Sequence, residues 1–356
     1  MNKVTLDLKD RSYDILIGKN SLDFLANFLA EKKYSKIFVI TDENVAKLHF
    51  SRLDGVISNY EKIIVSAGEQ TKSFIFLEKI CEEILSKNID RKSLIIAFGG
   101  GVIGDLSGFI ASILLRGIDF IQIPTTLLAM VDSSVGGKTA INSKFGKNLI
   151  GSFYQPKLVI CDLEFLKTLP LRQVRSGYGE VVKYGLIYDK IFFEFLENNF
   201  QKIFDFDEEF LTKIVTRSCQ IKAQIVGRDE RESSSRALLN FGHTFAHVFE
   251  TETNYSDELY HGEAVALGMI MAAKMSLNLG MIDEVSFFRI KKHFLDFGFI
   301  IDAKKIRSNW NLDNLIKHLY KDKKNENDKL TFVLLEEIGG AIIKKNVDLK
   351  HFIELI

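Results

Sequence analysis

LIIAFGGGVIGD, at residues 94–105, is an apolar run that passes into glycines and then into a helical pattern reaching Ser112. Gly99, Gly101 and Gly104 have the GxGxxG spacing in the strand–turn–helix context that this motif requires. Without side chains, glycines let the backbone approach a pyrophosphate, which the following helix N-terminus stabilises. The segment predicts a dinucleotide-binding turn. Asp105 is either a ribose acceptor or a helix cap, and no acidic residue is clearly placed after the next strand, so the turn is a variant of the Rossmann pattern.

Short apolar strands alternate with helical patterns on both sides of this turn. The predicted strands are Ile37–Ile40, Ile63–Val65, Leu94–Phe98, Phe120–Ile123 and Leu158–Ile160, with a helix at Phe74–Ser86. Such alternation favours a parallel sheet covered by helices.

After about Pro170 the pattern changes to long amphipathic helices, predicted at 190–204, 208–226, 264–279 and 284–297. One late apolar patch, Leu330–Leu335, is a strand candidate. We therefore predict an α/β Rossmann-like nucleotide-binding domain at 1–168 and a mainly α-helical metal- and substrate-binding domain at 169–356.

The bulk composition is that of an ordinary globular protein, and 356 residues favour two domains. The 47 basic and 47 acidic residues cancel, so no overall charge attracts nucleic acid or membrane. The three cysteines are far apart and form no CxxC pair, which fits a reducing compartment. The first residues, MNKVTLDLKD, contain no apolar core of a signal peptide, and no apolar run is long enough to cross a bilayer. We expect a cytoplasmic protein.

A second glycine-rich segment, VDSSVGGKT at residues 131–139, resembles the end of a P-loop. Asp132 occupies the position where that motif needs its first glycine, so the P-loop interpretation fails. Lys138, Lys147 and Asn148 lie within eleven residues and form a candidate phosphate-binding set. The alternative is that these are ordinary solvated side chains.

Three of the seven histidines, His243, His247 and His261, lie within nineteen residues. His243 and His247 are four residues apart, which places both on one helical face. With no cysteine nearby, a catalytic metal site with nitrogen and oxygen ligands is favoured. Spacing alone favours His243 and His247 as the ligand pair, but Thr244 replaces the glutamate of HExxH. The carboxylate ligand remains open between Glu250, Glu263 and Glu180.

Six motifs occur in the order and spacing found in 3-dehydroquinate synthases, and the resemblance spans about residues 37–340. They are GGGVIGDLSGF, IPTTLLAMVDSSVGGKTAIN, GKNLIG, GEVVKYG, RALLNFGHTFAH and HGEAVALGM. This resemblance implies zinc or cobalt on Glu180, His243 and His261, which moves His247 from ligand to substrate contact. It also implies a homodimer.

The resemblance further implies the residues that contact cofactor and substrate. The implied NAD contacts are Asp42, Asn44, Glu69, Lys72, Gly100, Gly101, Val102, Gly104, Asp105, Thr125, Thr126, Lys138, Lys147, Phe165, Leu166, Lys167 and Thr168. The implied catalytic residues are Asp132, Lys138, Lys147, Asn148, Lys183, Glu232 and His247. The implied substrate contacts are Arg116, Lys222, Arg236, Asn240 and a lysine of the DKK sequence, Lys323 or Lys324.

The implied reaction converts 3-deoxy-D-arabino-heptulosonate 7-phosphate to 3-dehydroquinate and phosphate, a step of the shikimate pathway. Its stages are transient oxidation by NAD, phosphate elimination, re-reduction and intramolecular aldol closure. Alternatives are another sugar phosphate cyclase, or a metal- and NAD-dependent polyol dehydrogenase of the glycerol dehydrogenase type. Lys138, Lys147, Asn148 and Lys183 together favour the cyclase, because a glycerol-type dehydrogenase has no need for this phosphate-binding set. Lys222 with Arg236 favours a substrate that carries a carboxylate.

Overall fold

The computed structural model describes residues 1–232, 234–322 and 330–356. The chain forms two compact units. The first unit consists of Met1–Pro170 and Phe206–Arg231, and the second of Leu171–Asp205 and Glu232–Ile356.

The structure contains these strands and helices in chain order. The strands are β1 (Asn2–Leu6), β2 (Tyr13–Gly18), β3 (Ile37–Asp42), β4 (Glu61–Val65), β5 (Leu94–Gly99), β6 (Asp119–Pro124), β7 (Lys138–Ser143), β8 (Gly146–Phe153), β9 (Leu158–Asp162), β10 (Leu330–Glu337) and β11 (Gly340–Val347). The helices are α1 (Phe24–Lys32), α2 (Glu43–Asp54), α3 (Phe74–Leu85), α4 (Gly101–Ile113), α5 (Leu171–Tyr188), α6 (Lys190–Asn199), α7 (Glu208–Arg228), α8 (His243–Glu252), α9 (His261–Asn278), α10 (Glu284–Phe297), α11 (Ala303–Ile306), α12 (Leu312–Asp322) and α13 (Leu349–Ile353).

The first unit is built on a seven-stranded sheet in the order β1-β2-β9-β6-β5-β3-β4. All neighbouring pairs are parallel except β1 with β2, which is antiparallel. Every residue of β5 is buried, as is usual for a central strand covered on both faces. The predicted parallel α/β domain is confirmed, with the antiparallel edge added.

The direction in which the chain builds this sheet reverses at β3. From β3 the chain adds β4 on one side, and then returns to place β5 on the other side. In open α/β sheets, ligands bind outside the carboxyl ends of the strands at such a switch point. The first unit therefore has its expected ligand site where β3 and β5 end, at Asp42 and Gly99.

Helix α7 belongs to the first unit, which differs from the predicted single boundary between residues 168 and 169. Phe210, Leu211 and Ile214 of α7 are buried, and the helix packs against β1 and β2. The amphipathic pattern predicted this helix correctly. Such a pattern shows which face of a helix is apolar, but not which other element packs against that face.

The second unit is mainly helical, as predicted, with one antiparallel hairpin formed by β10 and β11. Helix α9 is buried along nearly its whole length, and α5, α8, α10 and β10 pack around it. A helix that is apolar on most of its faces is expected at the centre of a core. None of the described helices combines the length and apolar character that a bilayer crossing requires.

Candidate active site

Helices α5 and α9 touch backbone to backbone at two glycines. A Cβ atom at Gly262 would lie 1.8 Å from the Ser176 carbonyl oxygen, and one at Gly179 would lie 2.7 Å from the Gly262 carbonyl oxygen. The Gly262 amide also donates to Ser176 Oγ at 3.0 Å. Because Glu180 follows Gly179 and His261 precedes Gly262, this contact brings the two side chains together.

A second glycine contact joins α8 to α9. Gly242 precedes α8 with φ +80°, a left-handed conformation that favours glycine. A Cβ atom at Gly268 would lie 2.1 Å from the Gly242 carbonyl oxygen. This close approach holds the first turn of α8 against α9, and the ring centres of His243 and His261 are 5.5 Å apart.

The N-terminus of α9 is fixed by Glu263. Its carboxylate accepts the Tyr260 backbone N–H at 3.0 Å and two hydrogen bonds from the Arg172 guanidinium, each at 2.8 Å. Arg172 also lies over the Tyr260 ring, 3.9 Å from its centre. Glu263, one of the three carboxylates that the sequence left open, is therefore a capping residue that anchors the helix carrying His261.

Glu180, His243 and His261 form a compact group in which one potential ligand atom from each lies within 4.8 Å of the others. Nε2 of each histidine is 3.4 Å from Glu180 Oε1. Glu180 is fully buried, and neither of its carboxylate oxygens accepts a well-formed hydrogen bond from the described residues. Lys183 forms an ion pair with Oε2. A buried carboxylate whose Oε1 lies beside two imidazole nitrogens fits a divalent cation such as zinc or cobalt.

The outer nitrogens of the two histidines are held by different groups. His243 Nδ1 is 3.2 Å from the Phe241 carbonyl oxygen, and His261 Nδ1 is 3.1 Å from Glu250 Oε1. Both contacts leave Nε2 for a metal. His247, the partner of His243 that spacing favoured, has its ring centre 5.7 Å from that of His243 and lies outside the three-residue group.

The charges in this group shift the pKa of its members. Burial would raise the pKa of the Glu180 carboxyl, but the Lys183 and His243 charges outweigh it and hold that pKa well below its ordinary value. Burial would lower the pKa of His261, but the Glu250 and Glu180 carboxylates outweigh it and raise that pKa to about 10. A cation that binds at Nε2 of His261 therefore competes with a proton there.

In the first unit, the implied NAD contacts follow the carboxyl ends of the parallel strands. Asp42 and Asn44 follow β3, Gly100 to Asp105 follow β5, and Thr125 and Thr126 follow β6. The further positions are Glu69 and Lys72 after β4, and Phe165, Leu166, Lys167 and Thr168 after β9. The switch point lies among them, as the general rule for α/β sheets requires.

The start of α4 fits a dinucleotide. Its N-cap residue is Gly100, and no side chain among the described residues caps it, whereas the Asp42 side chain caps α2 by accepting from the amides of Asn44 and Val45. The helix also packs closely here, because a Cβ atom at Gly104 would lie 2.7 Å from Gln122 Oε1 and the Gln122 side chain would have to move. An uncapped helix N-terminus that the backbone can approach closely is suited to a pyrophosphate.

A polar network joins the implied NAD contacts to the implied phosphate contacts. Buried Lys72 donates to Asp105 Oδ2 at 2.7 Å and to Asn148 Oδ1 at 2.5 Å. Glu69 lies 3.8 Å from Lys72 Nζ and 4.0 Å from Lys147 Nζ. Burial would lower the pKa of Lys72, but the Asp105 and Glu69 charges outweigh it and raise that pKa, so Lys72 is a cation.

Asn142, which is not among the residues predicted from the sequence, organises this network. Its side chain donates to Glu69 Oε1 at 2.8 Å and accepts the Asn148 backbone N–H at 3.0 Å. Asn148 itself has φ +54°, a conformation that asparagine tolerates better than most residues. Asn142 lies in the quoted TAIN sequence, so the signal was the motif and not any local spacing.

Comparisons with known proteins decide the family. Residues 62–176 match the 3-dehydroquinate synthase N-terminal model, and residues 177–325 match the corresponding C-terminal model. A 3-dehydroquinate synthase from Bartonella quintana (strain Toulouse) is 47% identical over 359 residues, covering 97% of this chain and 94% of its own. The chain belongs to the 3-dehydroquinate synthase family.

Solved structures of related cyclases share the fold. A 2-deoxy-scyllo-inosose synthase complexed with carbaglucose-6-phosphate, NAD+ and Co2+ has a TM-score of 0.88 and 25% identity, covering 99% of this chain and 98% of its own. A 2-epi-5-epi-valiolone synthase from Streptomyces hygroscopicus subsp. jinggangensis 5008, with NAD+ and Zn2+ bound, has a TM-score of 0.87 and 24% identity, covering 98% and 97%. The family match favours a 3-dehydroquinate synthase over the polyol dehydrogenase alternative.

The other residues that membership in the 3-dehydroquinate synthase family implies lie in both units. In the first, Lys222 Nζ contacts Asp132 twice, at Oδ1 (2.8 Å) and at the carbonyl oxygen (2.7 Å). Lys138 is exposed at the start of β7. Arg116 is exposed in a turn where Leu115, Arg116 and Gly117 all have positive φ, which is strained backbone of the kind found at functional sites.

In the second unit, the Asn240 side chain donates to Glu232 Oε1 at 2.7 Å. Arg236, between them in sequence, is buried, as is Lys183 beside Glu180. Lys323 and Lys324 lie outside the described residues.

Proposed function

We propose that this protein converts 3-deoxy-D-arabino-heptulosonate 7-phosphate to 3-dehydroquinate and inorganic phosphate. The single observation that carries the proposal is the network of Lys72, Asp105, Asn148, Glu69 and Lys147. This network connects the nucleotide turn to side chains that are suited to binding a substrate phosphate. An alcohol dehydrogenase has no need of such side chains. The 47% identical relative is named for this activity.

Glu180, His243 and His261 would hold one divalent ion, zinc or cobalt. The ion would act as a Lewis acid toward a substrate oxygen. Glu180 supplies an anionic ligand that stays ionised, because the nearby positive charges keep its pKa low. Lys183 pairs with the second carboxylate oxygen and orients Glu180.

The turn at Gly100, Gly101, Val102, Gly104 and Asp105 would hold NAD, whose role is the reversible oxidation of the substrate C5 alcohol. Asp105 is the acceptor for a ribose hydroxyl, held in place by the Lys72 ammonium. Further contacts come from the residues after the other strand ends: Asp42, Asn44, Glu69, Lys72, Thr125, Thr126, Lys138, Lys147, Phe165, Leu166, Lys167 and Thr168.

Lys138, Lys147 and Asn148 bind the phosphate of the substrate, and Arg116 adds a cation. Holding the leaving group promotes elimination once C5 is a ketone, because the proton on the neighbouring carbon is then acidic. The phosphate itself accepts that proton. Lys222 and Arg236 bind the substrate carboxylate, for which the planar guanidinium gives two parallel hydrogen bonds.

His247, Asp132, Glu232 and Asn240 complete the site. His247 serves proton transfer at the substrate oxygens. Asp132 orients Lys222, and Asn240 orients Glu232, through the contacts described above. A lysine at position 323 or 324 completes the substrate contacts. After elimination and re-reduction, ring opening and an internal aldol reaction close the carbocycle.

The assembly and location we propose are a homodimer in the cytoplasm, with no nucleic acid or membrane partner. The equal numbers of acidic and basic residues fit a protein that acts on a small anion and not on a polyanion. Sedimentation of the purified protein tests the dimer, since a monomer across the working concentration range contradicts it.

Phosphate release tests the proposed reaction. The purified protein is incubated with the heptulosonate phosphate, with and without NAD and a chelator. We expect release that requires the metal and leaves no net NADH. Net NADH from simple polyols, with no phosphate released, would contradict the proposal and favour a dehydrogenase.

A further inference from the structure

Glu250 is a buried acid that none of the proposed steps uses. It lies near the end of α8 with 3% of its surface exposed, and its Oε1 is 3.1 Å from Nδ1 of His261. A buried carboxylate is costly to maintain unless it is paired, so this contact has a structural or functional purpose.

Glu250 does not face the edge of the His261 ring that points to the metal group. Nε2 of His261 is the nitrogen near Glu180 Oε1, at 3.4 Å, while Glu250 meets Nδ1. The two nitrogens of one imidazole point in different directions, so a cation at Nε2 and the Glu250 carboxylate occupy different sides of the ring. Glu250, which the sequence left open as a metal ligand, is therefore placed behind a ligand.

The backbone around Glu250 is held in place. Its carbonyl oxygen accepts from the Tyr255 N–H at 2.8 Å and from Thr253 Oγ1 at 3.1 Å, both beyond or at the end of α8. Glu250 lies two helical turns after His243 on the same helix. Helix α8 thus carries the candidate ligand His243 at its start, and near its end it carries Glu250, which contacts the other candidate ligand, His261.

We propose that Glu250 is a positioning residue for the metal centre, which holds His261 with Nδ1 protonated and Nε2 directed at the cation. The inference rests on the proposed metal role of Glu180, His243 and His261. A carboxylate behind a ligating histidine fixes its tautomer and strengthens it as a donor.

The two histidines therefore differ in strength as ligands. His243 is supported by the neutral Phe241 carbonyl, whereas His261 is supported by a full negative charge. The Glu250 charge also balances the buried centre, where the carboxylate of the metal group, Glu180, is paired with Lys183. Removal of that charge leaves a divalent cation and an ammonium ion facing a single carboxylate.

Metal affinity of Glu250→Gln measures this role without reference to turnover. Purified metal-free proteins are titrated with Co2+ against a competing chelator, and the visible spectrum of bound cobalt is recorded. Loss of a group behind a ligand typically weakens metal binding about 10- to 100-fold, and we expect a loss in that range with an altered cobalt spectrum. Zn2+ competition should give the same order of loss.

Glu252→Gln is the matched control. Glu252 lies on the same helix and its Oε2 is 3.0 Å from Nε2 of another histidine, His318, which is not one of the three residues of the metal group. We expect this variant to bind Co2+ like the unmodified protein. Equal Co2+ affinity in Glu250→Gln and the unmodified protein would overturn the inference.

A measurement on the unmodified protein covers the case in which Glu250→Gln does not fold. Nitrogen-15 NMR of labelled histidines in the Zn2+-loaded protein should show His261 bound through Nε2 with a proton on Nδ1. Binding through Nδ1 would overturn the inference while leaving the metal site in place. If the unmodified protein binds no Co2+ or Zn2+, the proposed metal site itself is wrong and the role of Glu250 is lost with it.

Discussion

Gly262 lies so close to Ser176 that a Cβ atom at position 262 would stand 1.8 Å from the Ser176 carbonyl oxygen. No side chain fits at that distance, so the contact between α5 and α9 depends on this glycine. The same contact brings Glu180 and His261 together. The proposed metal site thus depends on how closely the two helices approach.

Gly262→Ala is expected to separate α5 from α9 and to weaken both folding and metal binding. Overpacking of a core typically costs about 1–3 kcal/mol, and a clash with backbone is at the upper end. Chemical denaturation of the metal-free protein measures the loss of stability, and titration with Co2+ measures the loss of metal affinity.

Gly227→Ala is the control for that change. Gly227 also lies in a helix, but a Cβ atom there would meet only the Asp7 carbonyl oxygen at an ordinary 3.5 Å. Alanine favours helices by about 0.5–1 kcal/mol over glycine, so stability should be unchanged or slightly raised. If Gly262→Ala behaved like Gly227→Ala, the tight helix contact would not exist.

Lys72→Met tests the network beneath the nucleotide turn. In the unmodified protein, Lys72 Nζ is 2.7 Å from Asp105 Oδ2. The change therefore leaves the Asp105 carboxylate without its buried counter-charge. We expect the free energy of unfolding to fall by about 2 kcal/mol. This is less than for a fully buried ion pair, because the Asp105 side chain is partly exposed. NAD affinity, measured by fluorescence titration, should also fall.

The double variant Lys72→Met/Asp105→Asn isolates the ion pair. A neutral asparagine at position 105 needs no counter-charge. The double variant should therefore lose less unfolding free energy than the sum of the losses in the two single variants. Strict additivity of the two losses in denaturant titrations would argue against coupling between these residues.

Lys147→Ala should reduce phosphate release about 100-fold in kcat/KM, equivalent to about 2.7 kcal/mol of transition-state stabilisation. NAD affinity should fall much less than kcat/KM, because Lys147 is one of many proposed NAD contacts and the nucleotide turn itself is intact. Lys144→Ala is the control on the same hairpin: Lys144 is exposed and lies 5.2 Å from the centre of the Phe145 ring. Equal activity of the two variants would remove Lys147 from the phosphate site.

His293 makes the stability of the metal-free protein depend on pH. Burial lowers its pKa to about 4, while Asp296 and Lys292 act in opposite directions; its ring nitrogen lies 3.1 Å from the Tyr178 hydroxyl. The unfolded chain takes up a proton near pH 6.5, so this residue stabilises the folded state above that pH and loses the contribution as pH falls towards 4. The full contribution of His293 to the free energy of unfolding is about 3 kcal/mol.

His293→Gln keeps a polar partner for Tyr178 and does not titrate. Unfolding free energies measured from pH 7 to pH 4.5 should fall more steeply for the unmodified protein than for this variant. Parallel curves would mean that His293 takes up its proton equally in the folded and unfolded protein.

The sequence predicted the parallel strands well because each is a short apolar run between turns, and β3, β4, β5, β6 and β9 all cover the predicted positions. The antiparallel edge was missed, although β1 shows the alternating burial of a half-exposed strand at Val4 and Leu6. The position of α7 was not predictable from periodicity, which identifies an apolar face but not its partner.

The candidate metal group shows the limit of local spacing most clearly. Spacing paired His243 with His247, because residues four apart share a helical face. The structure instead groups His243 with Glu180 and His261, from three helices that meet through glycine contacts distant in sequence. Only the resemblance to a family predicted that set from the sequence.

In the proposed reaction, NAD is used and regenerated within each turnover. The direct measurement is the ratio of phosphate released to NAD added, with the heptulosonate phosphate in large excess over NAD and NADH absorbance followed throughout. We predict many phosphates, and an equal amount of 3-dehydroquinate, per NAD with no accumulation of NADH. One NADH formed for each substrate consumed, or phosphate release that does not require NAD, would contradict the account.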